Sequence, residues 1–133
     1  MIRYMLDTNI CIHIIKKKPL HVMQRLLSLD VSQVAISSIT LSELEFGVSK
    51  SAFPLKNKMA LTKFLAVIDV LPYDSLASQS YGPIRAMLEK RGRPIGPLDT
   101  LIAAHAHSLQ CVLVTNNTRE FERVENLSIQ NWL

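Results

Sequence analysis

Short apolar runs closed by polar turns recur along this chain, and stretches with helical spacing fill the gaps between them. Ile2 to Leu6 is mostly apolar and is followed by Asp7-Thr8-Asn9, a pattern that predicts a short buried strand. From Thr8 to Lys17 the apolar positions no longer alternate, and Lys16, Lys17 and Lys18 stand before Pro19, as at the C-terminus of a helix. Pro19 suits the first turn of a second helix reaching about Leu29, with Val22, Leu26, Leu27 and Leu29 on one side.

Gln33 to Ser37 is a second strand, and Thr40-Leu-Ser-Glu43 has the form of a capping box that starts a helix running to Lys50. Pro54 opens a helix toward Ala66, and VIDVLPY predicts a third strand. Asp74 caps the next helical run, which ends near Arg91-Gly92 and contains Gly82-Pro83, a pair that predicts a kink or break. After Gly96-Pro97, LDTLIAAHAHSL puts Leu98, Leu101, Ile102 and His105 on one helical face. Cys111 to Thr115 is a fourth strand, TNNTREF a turn, and Leu127 to Gln130 a weak last strand. Strands and helices alternate without hairpin dipeptides, so the class is α/β, with a central, mainly parallel sheet flanked by helices on both faces. A chain of 133 residues without linker, repeat or low-complexity stretch predicts a single domain over residues 1–133.

Composition narrows the class further. With 48% hydrophobic and 20% charged residues the chain is not a disordered one. Its apolar stretches are short and interrupted by Asp7, His13 or Lys16, which predicts neither a membrane span nor a signal peptide and makes the expected location cytoplasmic. Cys11 and Cys111 fit neither a zinc spacing nor a disulfide framework and read as small buried hydrophobes. The formal charge is +4, with basic residues gathered at Lys16 to Lys18, around Lys50 to Lys63 and at Arg85 to Arg93. A basic surface suits a polyanion, but a charge run is also what a solvated face looks like.

The acidic residues carry more information. Asp7 follows the first strand, Glu43 begins the helix after the second, Asp99 begins the helix after Gly96-Pro97, and Asn116-Asn117 follow the fourth strand. Singly, each acid reads as a helix cap or a carboxylate in a first turn. Together they share a location, because in an open parallel sheet the turns from strand to helix fall on the carboxyl rim, where such folds bind ligands. Three acids close together repel without a counter-ion, and a hard divalent cation such as Mg²⁺ relieves that repulsion.

MLDTNICI at 5–12, SSITLSELEFGV at 37–48, RGRPIGPLDTLIAAHA at 91–106 and LVTNNTREFERV at 113–124 resemble, in order and over almost the whole chain, the PIN-domain ribonucleases. Within them they resemble the VapC toxins of bacterial toxin–antitoxin pairs. The resemblance implies that Asp7, Glu43 and Asp99 are catalytic and bind Mg²⁺, with Mn²⁺ as substitute, while Thr8, Asn9 and Thr115 brace the cluster. Many members carry aspartate where this chain has Asn117, and Glu120, one helical turn on, would supply that charge.

The implied reaction is hydrolysis of RNA by a water that the ion activates, with no protein nucleophile, leaving a 5′-phosphate and a 3′-hydroxyl. His105 then reads as a core histidine and His107 as an exposed one. Arg91 and Arg93, just before the helix of Asp99, and Lys16, Lys17 and Lys18 are candidates for holding RNA phosphates. RGRPIGP-LD and TNNTREFERV resemble the enterobacterial-type subgroup, which implies one cut in the anticodon loop of initiator tRNA. The family also implies a homodimer and a VapB antitoxin whose tail occludes the acids, along a groove drawn from Ile10 to Ile15, Leu20 to Leu27, Leu44 and Val48. Operator DNA is then bound through the antitoxin only.

Two rivals remain. A haloacid-dehalogenase-type phosphatase also begins with a strand ending in aspartate, but needs a second aspartate two residues later, where this chain has Asn9. A PIN-like module that binds RNA without cutting it would explain Asn117, although three acids are retained.

Overall fold

The computed structural model covers residues 1–133. Strands β1 (Tyr4–Leu6), β2 (Val34–Ser37), β3 (Asp69–Leu71), β4 (Val112–Val114) and β5 (Ile129–Gln130) form one sheet in the order β3-β2-β1-β4-β5. Every neighbouring pair is parallel. The helices are α1 (Thr8–Lys16), α2 (Leu20–Leu27), α3 (Ser38–Lys50), α4 (Pro54–Leu65), α5 (Ser75–Lys90), α6 (Pro97–Leu109) and α7 (Thr118–Phe121). None is long and apolar enough to cross a membrane.

A parallel sheet needs crossover connections and is covered on both faces, so its strands are apolar on both sides. In β1, Tyr4 and Leu6 enter one core with Ile10, Ile14, Ile36 and Leu61 from the side of α1 to α4. Met5 points the other way, into a second core with Ile84, Ile102, Leu113 and Phe121 on the side of α5 and α6. The chain steps from β1 outward to β3, then returns across the sheet to β4 and β5. The direction of winding therefore reverses between β1 and β4, and the carboxyl ends of those two strands border the crevice where such sheets bind ligands.

Several local expectations change. The Gly82-Pro83 pair does not break its helix, since α5 runs from Ser75 to Lys90 with Pro83 inside it. A residue before proline is pushed out of helical geometry by its Cβ, and Gly82 has none. Both residues are exposed, so water can satisfy the carbonyl one turn back, which lost its N–H partner. TNNTREF is not only a turn, because Thr118–Phe121 forms α7. Leu27 is 70% exposed and Leu98 is exposed, so neither joins its predicted apolar face. In α6 the buried residues are Thr100 and Ile102 to Ala106, a face broadened by packing between the sheet and α5. Cys11 and Cys111 are free and buried, as small hydrophobes.

The exposed Gly82-Pro83 pair makes a stability prediction. Replacing both with alanine (Gly82→Ala with Pro83→Ala) restores a helical hydrogen bond and removes glycine's backbone entropy, so denaturant unfolding should show a gain of roughly 2 kcal/mol.

Candidate active site

Asp7 is the residue after β1 and the cap of α1, and it is only 5% exposed. Its backbone N–H still belongs to the sheet, donating to the Val114 carbonyl at 2.9 Å, while its Oδ1 accepts the Ile10 N–H at 3.0 Å. Burial pushes the Asp7 carboxyl above the ordinary aspartate value, and the Glu43 charge adds to that. Hydrogen bonds from the Thr115 hydroxyl and the Ile10 and Asn9 N–H groups oppose it. Thr115 sits beside it at the end of β4, buried, and its Oγ1 also accepts the Asn117 N–H at 2.9 Å. The Asn9 side chain is exposed, so its part here is the backbone N–H.

Glu43 reaches the rim by a different route from the one its sequence context implies. The capping box does not form: α3 starts at Ser38, capped by Ser37, whose Oγ accepts the Ile39 N–H at 3.1 Å. Thr40 thus lies buried inside the first turn, with its hydroxyl unpartnered. Glu43, one turn further on, has no cap to close and turns toward α1, where Thr8 Oγ1 donates to its Oε1 at 2.6 Å.

Asp99 lies in the first turn of α6, behind Gly96 and Pro97. Burial first, then the charges of Glu120, Glu43 and Asp7, and a hydrogen bond with Glu120, raise its carboxyl from the usual value to about 6. Glu120 is brought there by α7, and the Asn117 Nδ2 donates to its Oε2 at 3.1 Å. The Asn117 amide therefore holds a glutamate against Asp99. That arrangement was signalled in the sequence only by the spacing of the two residues.

Asp7, Glu43, Asp99 and Glu120 consequently share one electrostatic field. The three ion pairs of the structure, Lys58 with Glu45, Arg85 with Glu89 and Arg91 with Glu125, leave all four acids without a basic partner. No three His, Cys, Asp or Glu side chains converge tightly enough to form a ready-made ion cage. The donor set is nevertheless all hard oxygen, suited to Mg²⁺, which takes one or two carboxylates and completes its shell with waters and phosphate oxygens.

The basic candidates are more scattered. Arg91 pairs with Glu125, and Arg93 is exposed without an ion pair, in the loop leading to Asp99. Lys16 to Lys18 close α1, about 14 Å of helical rise from Asp7. Lys16 lines a small groove that also contains Glu43, with Ile12, Ile15, Leu44 and Val48. Ile10 is wholly buried and belongs to the core instead. A larger, apolar groove of about 660 Å³ lies between α1, α2 and α4, lined by Ile14, Met23, Leu26, Leu27, Met59 and Phe64 and edged by Lys17, Lys56 and Lys63. Burial pushes the Cys11 thiol well up and that of Cys111 to about 11, so neither is a nucleophile. His105 is 2% exposed, as a core histidine should be, and burial keeps its ring below the ordinary histidine value. His107 is part-buried rather than exposed, its Nδ1 3.2 Å from Ser80 Oγ.

A model of the PIN domain matches residues 4–127. The chain is 49% identical over 132 residues to a Shigella flexneri protein named tRNA(fMet)-specific endonuclease VapC, covering 99% of both. Among solved structures, a chain of DNA-bound VapBC from Salmonella typhimurium is 47% identical and matches over 100% of both chains at a TM-score of 0.95. A chain of VapBC2 from Rickettsia felis, bound to a promoter DNA fragment, is 42% identical and matches over 100% of both at 0.93.

The crowding of acids predicts a pH-dependent strain in the metal-free protein. A carboxyl raised from 3.8 to about 6 by folding contributes no penalty below pH 4 and an increasing one as pH rises through 6. In the presence of a chelator, Asp99→Asn should raise the melting temperature at pH 7 and leave it nearly unchanged at pH 4. Equal effects at both values would show that Asp99 carries no charge strain.

Proposed function

This chain belongs to the PIN-domain family, in its VapC ribonuclease branch, and from that we propose that Asp7, Glu43, Asp99 and Glu120 form a Mg²⁺-dependent endoribonuclease centre. The observation that carries this reading is the group of four carboxylates at the reversal point of the sheet, none paired with a lysine or arginine. A divalent cation held there would polarise an RNA phosphodiester and acidify a water for in-line attack on phosphorus. The protein's own part is positioning. Thr8 aims Glu43, Thr115 and the start of α1 fix Asp7, and Asn117 aims Glu120. The water oxygen bonds to phosphorus as the bond to the 3′-oxygen breaks, and that oxygen takes up the proton, giving a 5′-phosphate and a 3′-hydroxyl.

The substrate we infer is initiator tRNA, cut once in the anticodon loop so that translation stops. A loop presents unstacked bases, which proteins read more easily than a helix. Aromatic residues make up only 6% of the chain, so backbone contacts from basic residues such as Arg93 would contribute more than stacking. The partner is a VapB-type antitoxin, and its tail would lie in the apolar groove of α1, α2 and α4. An acidic or amphipathic segment there meets the lysine edge, and the adjoining small groove leads it to Glu43. Homodimers joined by antitoxin would bind operator DNA through the antitoxin, in the cytoplasm.

Purified protein incubated with total tRNA should cut initiator tRNA in Mg²⁺ and not in EDTA, and Asp7→Asn or Glu120→Gln should lower the rate by at least about a hundredfold. End mapping should find one cut. Cleavage that persists in EDTA or in Asp7→Asn would contradict the metal-centre reading, and metal-dependent tRNA binding without cuts would favour a non-catalytic module. Separately, Leu27→Glu in the groove should abolish complex formation with antitoxin in a pull-down while leaving tRNA cleavage at the wild-type rate.

A further inference from the structure

Beneath the acidic rim lies a buried polar link that the reaction does not use. Ser37, the last residue of β2, is fully buried, and its Oγ accepts the Ile39 N–H that opens α3. The same oxygen lies 2.8 Å from Nδ1 of His105, a buried residue in the middle of α6. The Ser37 hydroxyl, which also accepts the Ile39 N–H, and His105 Nδ1 share one hydrogen bond whose donor is set by the imidazole tautomer. The His105 ring also packs edge-on against Tyr73, with centroids 5.6 Å apart and planes at 80°. Tyr73 in turn donates its N–H to Ser38 Oγ at 3.0 Å. His105 and Tyr73 thus bracket the first residues of α3.

That bracket joins the two helices that carry two of the acids. Glu43 lies five residues beyond Ser38 on α3, and Asp99 lies six residues before His105 on α6. The His105–Ser37 contact is the one side-chain hydrogen bond joining the β2–α3 corner to α6. An apolar residue would fill the same volume without the cost of desolvating an imidazole. The polar choice therefore buys direction rather than burial.

We propose that His105 is a positioning residue whose hydrogen bond to Ser37 locks α3 against α6 and so sets the spacing of Glu43 and Asp99. The proposal rests on reading those carboxylates as cation ligands. A slide of one helix past the other would change the spacing of their oxygens and weaken a shared ion, without altering any group that touches RNA.

Packing and positioning predict opposite orders for two variants. His105→Leu keeps the volume and loses the bond, whereas His105→Asn leaves a small cavity but can place an amide atom near the site of Nδ1. Mn²⁺ binding measured by titration calorimetry, together with RNA cleavage as a function of Mg²⁺, should separate them. His105→Leu should weaken Mn²⁺ binding about tenfold, the scale of loss when a group behind a ligand is removed, with kcat at saturating Mg²⁺ nearly unchanged. His105→Asn should melt at a lower temperature yet bind Mn²⁺ as the wild type does. If His105→Leu does not fold, His105→Met carries the test, since it also fills the space without a hydrogen bond and leaves the Ser37 cap of α3 intact. Normal Mn²⁺ affinity in whichever of His105→Leu and His105→Met folds would overturn the role of His105 alone. A wild-type protein that binds no Mn²⁺ would overturn the acid-centre reading and this inference with it.

Discussion

Four carboxylates share one electrostatic field where the sheet reverses its winding, and no basic side chain is paired with any of them. Burial in the rim, and then the charges of Glu120, Glu43 and Asp7, push the Asp99 carboxyl up to about 6. A fold that only needed caps could have met each helix N-terminus with serine or asparagine at no electrostatic cost. The arrangement instead tolerates repulsion among acids from four elements, and the polar residues around it, Thr8, Thr115 and Asn117, hold the carboxylates in place rather than neutralise them.

The rest of the molecule is organised to bring those elements together. The parallel order puts the ends of β1 and β4 side by side, so Asp7 and Thr115 become neighbours although more than a hundred residues separate them. The two cores fix the helices on opposite faces, and α3 and α6 deliver Glu43 and Asp99 from different sides of the chain's path. On the α1–α4 face an apolar groove edged with lysines runs toward Glu43, so the surface proposed for a partner and the proposed catalytic centre share a residue.

Much of this was legible from spacing alone. Short apolar runs with polar exits gave the strands, and an acid after each of two strands and in the first turn before another marked the rim. What misled was local chemistry that tertiary contacts override. Thr40 and Glu43 have the form of a capping box, but Ser37 caps α3 three residues earlier and frees Glu43 for Thr8. Gly82-Pro83 reads as a break, yet the missing Cβ and the exposed setting let α5 continue. Asn117 reads as a lost acid, yet its amide orients Glu120. The Ser37–His105 bond joins residues 68 apart, and no periodicity could have paired them.

A divalent cation held by the rim carboxylates would show in an anomalous difference map from crystals soaked in Mn²⁺. The expected peak is bounded by Asp7 and Asp99, with Glu43 and Glu120 facing it directly or through waters. A map with no peak there at millimolar Mn²⁺, or with density only at surface carboxylates such as Glu45 or Glu89, would contradict the metal-centre reading.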